Sequence, residues 1–160
     1  MKFRFPLVML LSALIFVLIA SPVAAQFADG TYQVNYEVKH ASNDNASIAD
    51  GYFKKPATVT LKDGVATVTV VLTGSDYVKS FSTPSGATVV SEDEANKTRT
   101  YRFQVADLTK PLTVDFVVDV EGVYENAKHQ ARFVFDVSGL PKASEATSGS
   151  SNKAAYSSGE

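Results

Sequence analysis

The chain has 160 residues, of which 45% are apolar, 11% aromatic and 20% charged, and its 17 acidic and 15 basic side chains give a formal net charge of −2. This composition excludes a disordered or collagen-like chain and is typical of about one globular domain. Nucleic acid and anionic lipid are not expected as partners, because both need clustered Lys and Arg. Cysteine is absent, which excludes disulfides and a thiol nucleophile.

The first 25 residues are predicted to be a secretory signal peptide. Lys2 and Arg4 precede an uncharged apolar run at 7–20, and small residues occupy positions 23–25, where a signal peptidase would cleave. This run is shorter than the roughly 20 residues that a membrane-spanning helix needs. We therefore expect cleavage after Ala25, no membrane span in the mature chain, and a protein that is secreted or loosely associated with the cell wall.

From Gly30 onward, short runs of β-branched and aromatic residues alternate with turn residues, which indicates strands. Eight strands are predicted, at residues 31–38, 57–61, 65–72, 78–81, 87–91, 99–105, 112–120 and 129–137. Asp63-Gly64 between the second and third is predicted to form a tight hairpin turn, because this pair readily adopts positive φ angles. Strands at this spacing predict an all-β fold, an immunoglobulin-like antiparallel β-sandwich.

One long interval, residues 39–55, follows the first strand and is too polar at its start to be another strand. A short helix is predicted within it. Asn45 or Ser47 can cap a turn over residues 48–50, and Gly51 can end that turn. Loops of this length in compact domains are usually functional.

The end of the chain, residues 139–160, is dominated by Ser, Ala, Gly and charged residues and is predicted to be disordered. The predicted organisation is therefore a signal peptide at 1–25, one domain at 26–138, and this tail.

Catalytic patterns are lacking in the sequence. It contains only two histidines, His40 and His129, and neither a nucleophile elbow nor a phosphate-binding glycine loop. His40 is expected on the surface. Acidic residues at 92–94, 121 and 125 lie in or beside predicted turns, where a solvated position is expected. We therefore do not expect an enzyme.

Five segments carry a resemblance to a known family. They are Asp29-Gly30-Thr31-Tyr32 with Asn35-Tyr36; Ser47-(x)4-Tyr52-Phe53-x-Lys55-Pro56-Ala57; residues 65–72 leading into Ser75 and Tyr77-Val78-Lys79; residues 97–103; and Asp107-Leu108-Thr109-Lys110-Pro111. The second segment is the most specific. In this order, over residues 29–136, they resemble the NEAT (near iron transporter) domain, a module of Gram-positive haem-acquisition proteins.

The resemblance implies a haem-binding protein of a Gram-positive bacterium that captures haem non-covalently and passes it to related NEAT-domain proteins. Such domains hold haem in a groove between the short helix and the last β-hairpin. By resemblance, Ser47 would hydrogen-bond a haem propionate, Ile48 would cover one porphyrin face, and Tyr52 would lie at the rim near a propionate. Tyr77 is expected to pack in the core beneath the groove.

The iron ligand is the position at which the chain departs from the family. NEAT domains usually supply it from a Tyr-x-x-x-Tyr pair at the start of the eighth strand. Aligning backward from Phe133 puts Glu125 at the ligand position and His129 at the second tyrosine position, with Tyr124 one residue too early. A carboxylate is a poor haem ligand, and the charge of Glu125 would repel the propionates.

Three interpretations stay open at this stage. Tyr124 could bind iron with His129 as its partner, which requires Tyr124 to sit in the turn or beside a bulge, because residues five apart lie on opposite faces of a regular strand. Alternatively, His129 could itself bind iron. In the third interpretation the domain has lost haem binding.

The third interpretation leads to a different class of function, a NEAT-like or immunoglobulin-like module that binds a protein such as haemoglobin. Family members that bind haemoglobin use an aromatic-rich helix in the loop after the first strand. Residues 43–49 contain no aromatic residue here, which weakens the case for haemoglobin specifically.

Overall fold

The computed structural model describes residues 27–143. The predicted signal peptide, 1–25, and residues 144–160 of the predicted disordered tail lie outside the described residues. Within the described range, no helix is both long enough and apolar enough to cross a membrane.

Within residues 27–143 the chain forms nine strands and one 3-10 helix. They are β1 Gly30–Val34, β2 Tyr36–His40, the 3-10 helix Ile48–Tyr52, β3 Ala57–Lys62, β4 Val65–Thr73, β5 Val78–Ser82, β6 Ala87–Asp93, β7 Thr98–Val105, β8 Leu112–Val120 and β9 Tyr124–Phe135. The strands make two antiparallel sheets, in the orders β1-β3-β4-β7-β6 and β2-β9-β8-β5. This arrangement confirms the predicted all-β sandwich, and the turn at Asp63 and Gly64 has the predicted positive φ angles.

The first predicted strand, 31–38, is two strands in different sheets. β1 pairs with β3 and β2 pairs with β9, and only Asn35 separates them. Val34, Tyr36 and Val38 are all buried. Because the apolar alternation continues without interruption while the chain crosses from one sheet to the other, the pattern is indistinguishable from that of one long strand.

The last strand also differs from its prediction. β9 begins at Tyr124 rather than at residue 129, because Tyr124 pairs with Val120 of β8, and Ala127 and Lys128 pair with Val118 and Val117. The turn of this β8–β9 hairpin is therefore short, with Gly122 at a φ of 76°. The predicted strands at 112–120 and 129–137 left residues 121–128 as a turn, and this was wrong, because polarity on an exposed hairpin does not prevent strand pairing.

The core between the sheets is built around Phe133 of β9, whose side chain is fully buried. Five aromatic rings surround it, with centroid distances of 5.3 Å to Tyr36, 5.0 Å to Phe53, 5.8 Å to Phe81, 6.2 Å to Phe103 and 6.3 Å to Phe135. Phe53 directly follows the 3-10 helix, so this cluster anchors the helix to both sheets.

The two ends of the described range lie together. The Ala28 N–H donates to the Pro141 carbonyl at 2.8 Å, Phe27 forms a β-bridge with Lys142, and Leu140 is buried. Residues 139–142 therefore pack against the sandwich, where Leu140 adds apolar area to the core.

Candidate functional site

A groove of about 510 Å3 opens between the 3-10 helix and the β8–β9 hairpin. It is lined by His40, Ser47, Ile48, Ala49, Tyr52, Phe53, Leu72, Tyr77, Val78, Phe116, Val118, Val120, Tyr124, His129 and Gln130. Its volume lies within the range of about 300–1,000 Å3 typical of sites for small molecules and cofactors. All five residues predicted for the site, namely Ser47, Ile48, Tyr52, Tyr124 and His129, line this one groove.

The helix side of the groove begins with Ser47, which caps the helix as one of the two predicted caps. Its Oγ accepts a hydrogen bond from the Ala49 N–H at 3.2 Å, and the side chain is half-buried. Because the hydroxyl acts there only as an acceptor, its proton is available to a ligand in the groove. The helix ends at Tyr52 rather than at the predicted Gly51, since Phe53 supplies the closing N–H to the Asp50 carbonyl.

Asp50 holds this helix against β2, a role that the sequence did not suggest. Its Oδ1 accepts hydrogen bonds from the Val38 N–H at 2.7 Å and from Lys55 Nζ at 2.5 Å. Burial acts to raise the pKa of the Asp50 carboxyl, but the hydrogen bonds from Lys55 and Val38 outweigh it and hold the pKa below its usual range. The helix is therefore attached through an ionised carboxylate.

We expect acid to weaken this attachment. Since the pKa of Asp50 is lower in the folded than in the unfolded chain, its stabilising effect is complete above the unfolded value of about 3.9 and is lost as the pH falls through the lowered folded value. The amide proton shift of Val38, followed by NMR, should report this titration. Asp50→Ala should abolish it and cost about 2 kcal/mol of unfolding free energy.

Glu37→Ala is the matched control for this titration. It removes an exposed carboxylate that neighbours Val38 in β2 and should leave the titration unchanged. A midpoint at or above 3.9 would contradict the assigned role of Asp50.

The rim of the groove exposes large apolar side chains. Ile48 is 80% exposed and Tyr52 is 42% exposed. Tyr77 is 44% exposed and lines the groove, so its predicted burial in the core was wrong. Gly74, at a φ of +69°, permits this arrangement, because a Cβ there would lie 3.3 Å from Tyr52 Cδ1 and 3.5 Å from Tyr77 Cδ2.

On the hairpin side, a β-bulge brings Tyr124 and His129 to the same face. Val120 pairs with Tyr124, whereas Val118 pairs with Ala127. One residue of β8 therefore lies opposite two of β9, and the second of these two, Asn126, has a left-handed φ of 48°. This bulge takes up one of the five residue steps from Tyr124 to His129. It is therefore the irregularity that Tyr124 needs in order to share a face with His129.

The two side chains are neighbours in the groove. Their ring centroids lie 5.7 Å apart in an edge-on arrangement, and His129 stacks on Phe116 at 5.7 Å and 21°. Glu125, at the family's ligand position by alignment, does not line the groove. Among residues 27–143, no group of three or more His, Asp or Glu side chains is placed to hold a metal ion.

Several lining residues were missed at the sequence level. Phe116, Val118 and Val120 form the hairpin wall of the groove, and each is only half-buried. They lie at every second position of β8 after Val114, which is buried. Because such residues share one face of a strand, this spacing could have identified the wall.

The described residues thus form a two-sheet sandwich whose apolar groove carries a serine hydroxyl on one side and a phenol and an imidazole on the other, which is the arrangement of a ligand-binding domain. The profile of the NEAT family, described as an iron transport-associated domain, matches residues 25–138. The chain belongs to this family.

Relatives and solved structures agree with this family. The chain is 35% identical over 107 residues, or 66% of its length, to hemin/hemoglobin-binding protein 1 of Listeria monocytogenes, and 30% identical over 133 residues, or 79%, to hemin/hemoglobin-binding protein 2 of that organism. It spans 52% of the first relative and 23% of the second.

Two solved structures of the NEAT5 domain of IsdX2, a hemophore of B. anthracis, are also similar. One contains the domain itself and the other a mutant, each in complex with haem. Both match with a TM-score of 0.65 and 29% identity over 69% of this chain, covering 98% and 97% of the respective domains.

Proposed function

We propose that this chain captures haem non-covalently in the groove and passes it to a related domain during iron acquisition. The observation that carries the proposal is the convergence of all five predicted residues on one apolar groove. Membership of the NEAT family and the haem complexes of similar domains support it. A groove with an open rim suits transfer, because a second protein can approach the ligand before the first releases it.

Within this proposal, Tyr124 binds the iron and His129 assists it. Ferric iron is a hard acid that suits a phenolate, and an imidazole beside the phenol can accept its proton or donate a hydrogen bond to the phenolate. One face of the His129 ring is already covered by Phe116. Tyr124 is 45% exposed at the open end of the hairpin and lines the groove, so a ligand there can reach its side chain.

The helix side would hold the rest of the haem. The Ser47 hydroxyl proton, which no hydrogen bond within the helix uses, would be donated to a propionate. Ile48 would cover a porphyrin face, since burying its exposed side chain is favourable by about 25 cal/mol per Å2 of apolar area. Tyr52 would close the rim beside the propionates.

Titration of the purified chain with haemin tests this function directly. We expect a saturable Soret band at a ratio of one haemin per chain. Ile48→Asp should weaken binding at least tenfold, because it places a charge against the porphyrin face. The matched control is Val65→Asp, which changes a valine that is 45% exposed at the start of β4 and outside the groove.

Absence of any Soret band at micromolar concentrations would refute the haem proposal. If haemoglobin immobilised on beads then retained the chain, the alternative function of a protein-binding module would replace it. The polar loop at 41–46, in which every residue is exposed and none is aromatic, argues against that outcome.

A further inference from the structure

We propose that Lys79, Asp119 and Asn126 form a clamp on the reverse face of the β5–β8–β9 sheet that positions Tyr124 for iron binding. The inference rests on the proposed haem function and adds three positioning residues that do not touch the groove. None of the three lines it.

The clamp joins three strands at the level of the bulge. Lys79 Nζ lies 2.5 Å from Asp119 Oδ2 and donates to Asn126 Oδ1 at 3.1 Å. The Asn126 N–H donates to Asp119 Oδ1 at 3.2 Å. Each member of the clamp therefore contacts both of the others, and both oxygens of the Asp119 carboxylate are engaged.

The backbone around Lys79 is adapted to this contact. The pairing of β5 with β8 shifts register between Val78 and Ser80, so Lys79 itself lies in a second irregularity, directly opposite the part of β8 that leads to Asp119. The Asp119 N–H also donates to the Tyr77 carbonyl at 2.8 Å. β8 is thus tied to β5 on one side and to the bulge of β9 on the other.

The side on which the clamp lies follows from strand geometry. Val118 and Val120 line the groove, and successive residues of a strand point to opposite faces. Asp119 between them therefore points to the reverse face. Hydrogen bonds from Lys79 and then from the Asn126 N–H hold the pKa of the Asp119 carboxyl below its usual range, so the carboxylate is charged at neutral pH.

The clamp serves the iron site by stabilising the bulge. Without it, the spacing of five residues would put Tyr124 and His129 on opposite faces of β9. The left-handed φ of 48° at Asn126 is unfavourable for most residues, although asparagine tolerates it. A carboxylate that binds the backbone N–H of this residue, and a lysine that binds its side chain, both favour the bulged register over the regular one.

Removal of Asn126 provides a decisive comparison. In the shortened hairpin the histidine is the fourth residue after the tyrosine. A regular strand then puts both side chains on the groove face without a bulge. We expect Asp119→Ala in the full chain to weaken haemin binding about tenfold, as loss of a residue that orients a metal ligand does, and to reduce the phenolate-to-iron charge-transfer absorption. In the chain lacking Asn126, the same substitution should change affinity less than twofold.

Glu92→Ala is the matched control, because it removes a carboxylate from an equally short ion pair, with Arg99 at 2.5 Å, in the other sheet. It should alter neither readout. A haem-free readout separates the clamp from the haem function: NMR contacts between the Tyr124 and His129 rings should be present in the unmodified chain and lost in Asp119→Ala.

Unchanged ring contacts and unchanged haemin affinity in Asp119→Ala would overturn the clamp while leaving the haem proposal intact. Failure of the unmodified chain to bind haemin, with the ring contacts still dependent on Asp119, would overturn the haem proposal and with it the clamp's role in iron binding. Equal losses from Asp119→Ala with and without Asn126 would show that Asp119 acts on general stability and would also overturn the clamp.

Discussion

Tyr124→Phe should remove the phenolate-to-iron charge-transfer absorption of bound ferric haem and lower haemin affinity by roughly 100-fold or more. The reason is that the substitution deletes the proposed ligand atom while leaving the aromatic ring against the groove, so the loss reports coordination and not packing. Loss of a ligand should exceed the roughly 10- to 100-fold effect typical of residues that only orient one. Haemin titrations with absorption spectra measure both quantities.

His129→Ala should act more weakly than Tyr124→Phe. It removes the imidazole beside the phenol and should reduce affinity by about tenfold, with the charge-transfer absorption retained. Tyr32→Phe, which deletes a tyrosine hydroxyl in β1 that hydrogen-bonds only backbone carbonyls, is the matched control. A larger loss in His129→Ala than in Tyr124→Phe would assign the iron to His129, and small equal losses would exclude both.

Phe133→Ala should give the largest loss of stability, about 3–5 kcal/mol of unfolding free energy. Its ring is fully buried and lies among five other aromatic rings that join both sheets and the segment after the 3-10 helix. Truncation therefore removes a large buried area and leaves a cavity that strand backbones cannot close. Urea denaturation followed by circular dichroism measures the change.

The neighbouring residue gives the comparison. Val134 follows Phe133 in β9 but points to the opposite face and is only half-buried, so Val134→Ala should cost about 1 kcal/mol or less. A cost of under 1.5 kcal/mol for Phe133→Ala would show that the aromatic cluster is not the centre of the core.

The groove residues on the helix side were predicted through the family resemblance, whose most specific motif is local. A serine cap, a following isoleucine and the Tyr-Phe-x-Lys-Pro-Ala run lie within eleven consecutive residues, and the structure places Ser47, Ile48 and Tyr52 together in the groove. The all-β class was predictable for the same reason, since alternation with period two is a property of each short segment by itself.

The tertiary structure decided which faces and which sheets these segments occupy. The division of residues 31–38 between two sheets is invisible in the sequence, because β1 and β2 share one apolar alternation and differ only in the strands with which they pair. In the sequence Asp50 is an ordinary turn residue. Its role in holding the helix depends on the position of β2, whose Val38 N–H donates to its carboxylate.

The side of β9 on which Tyr124 lies is the clearest case of a feature that the tertiary structure decided. Tyr124, Glu125 and His129 can all be read from the sequence, and so can the need for a bulge if Tyr124 is to share a face with His129. The bulge itself depends on the pairing of β9 with β8 and on contacts with Lys79, which is 47 residues from Asn126. Register in a β-sheet is set by partners distant along the chain, whereas the sequence determines only which residues each strand can present.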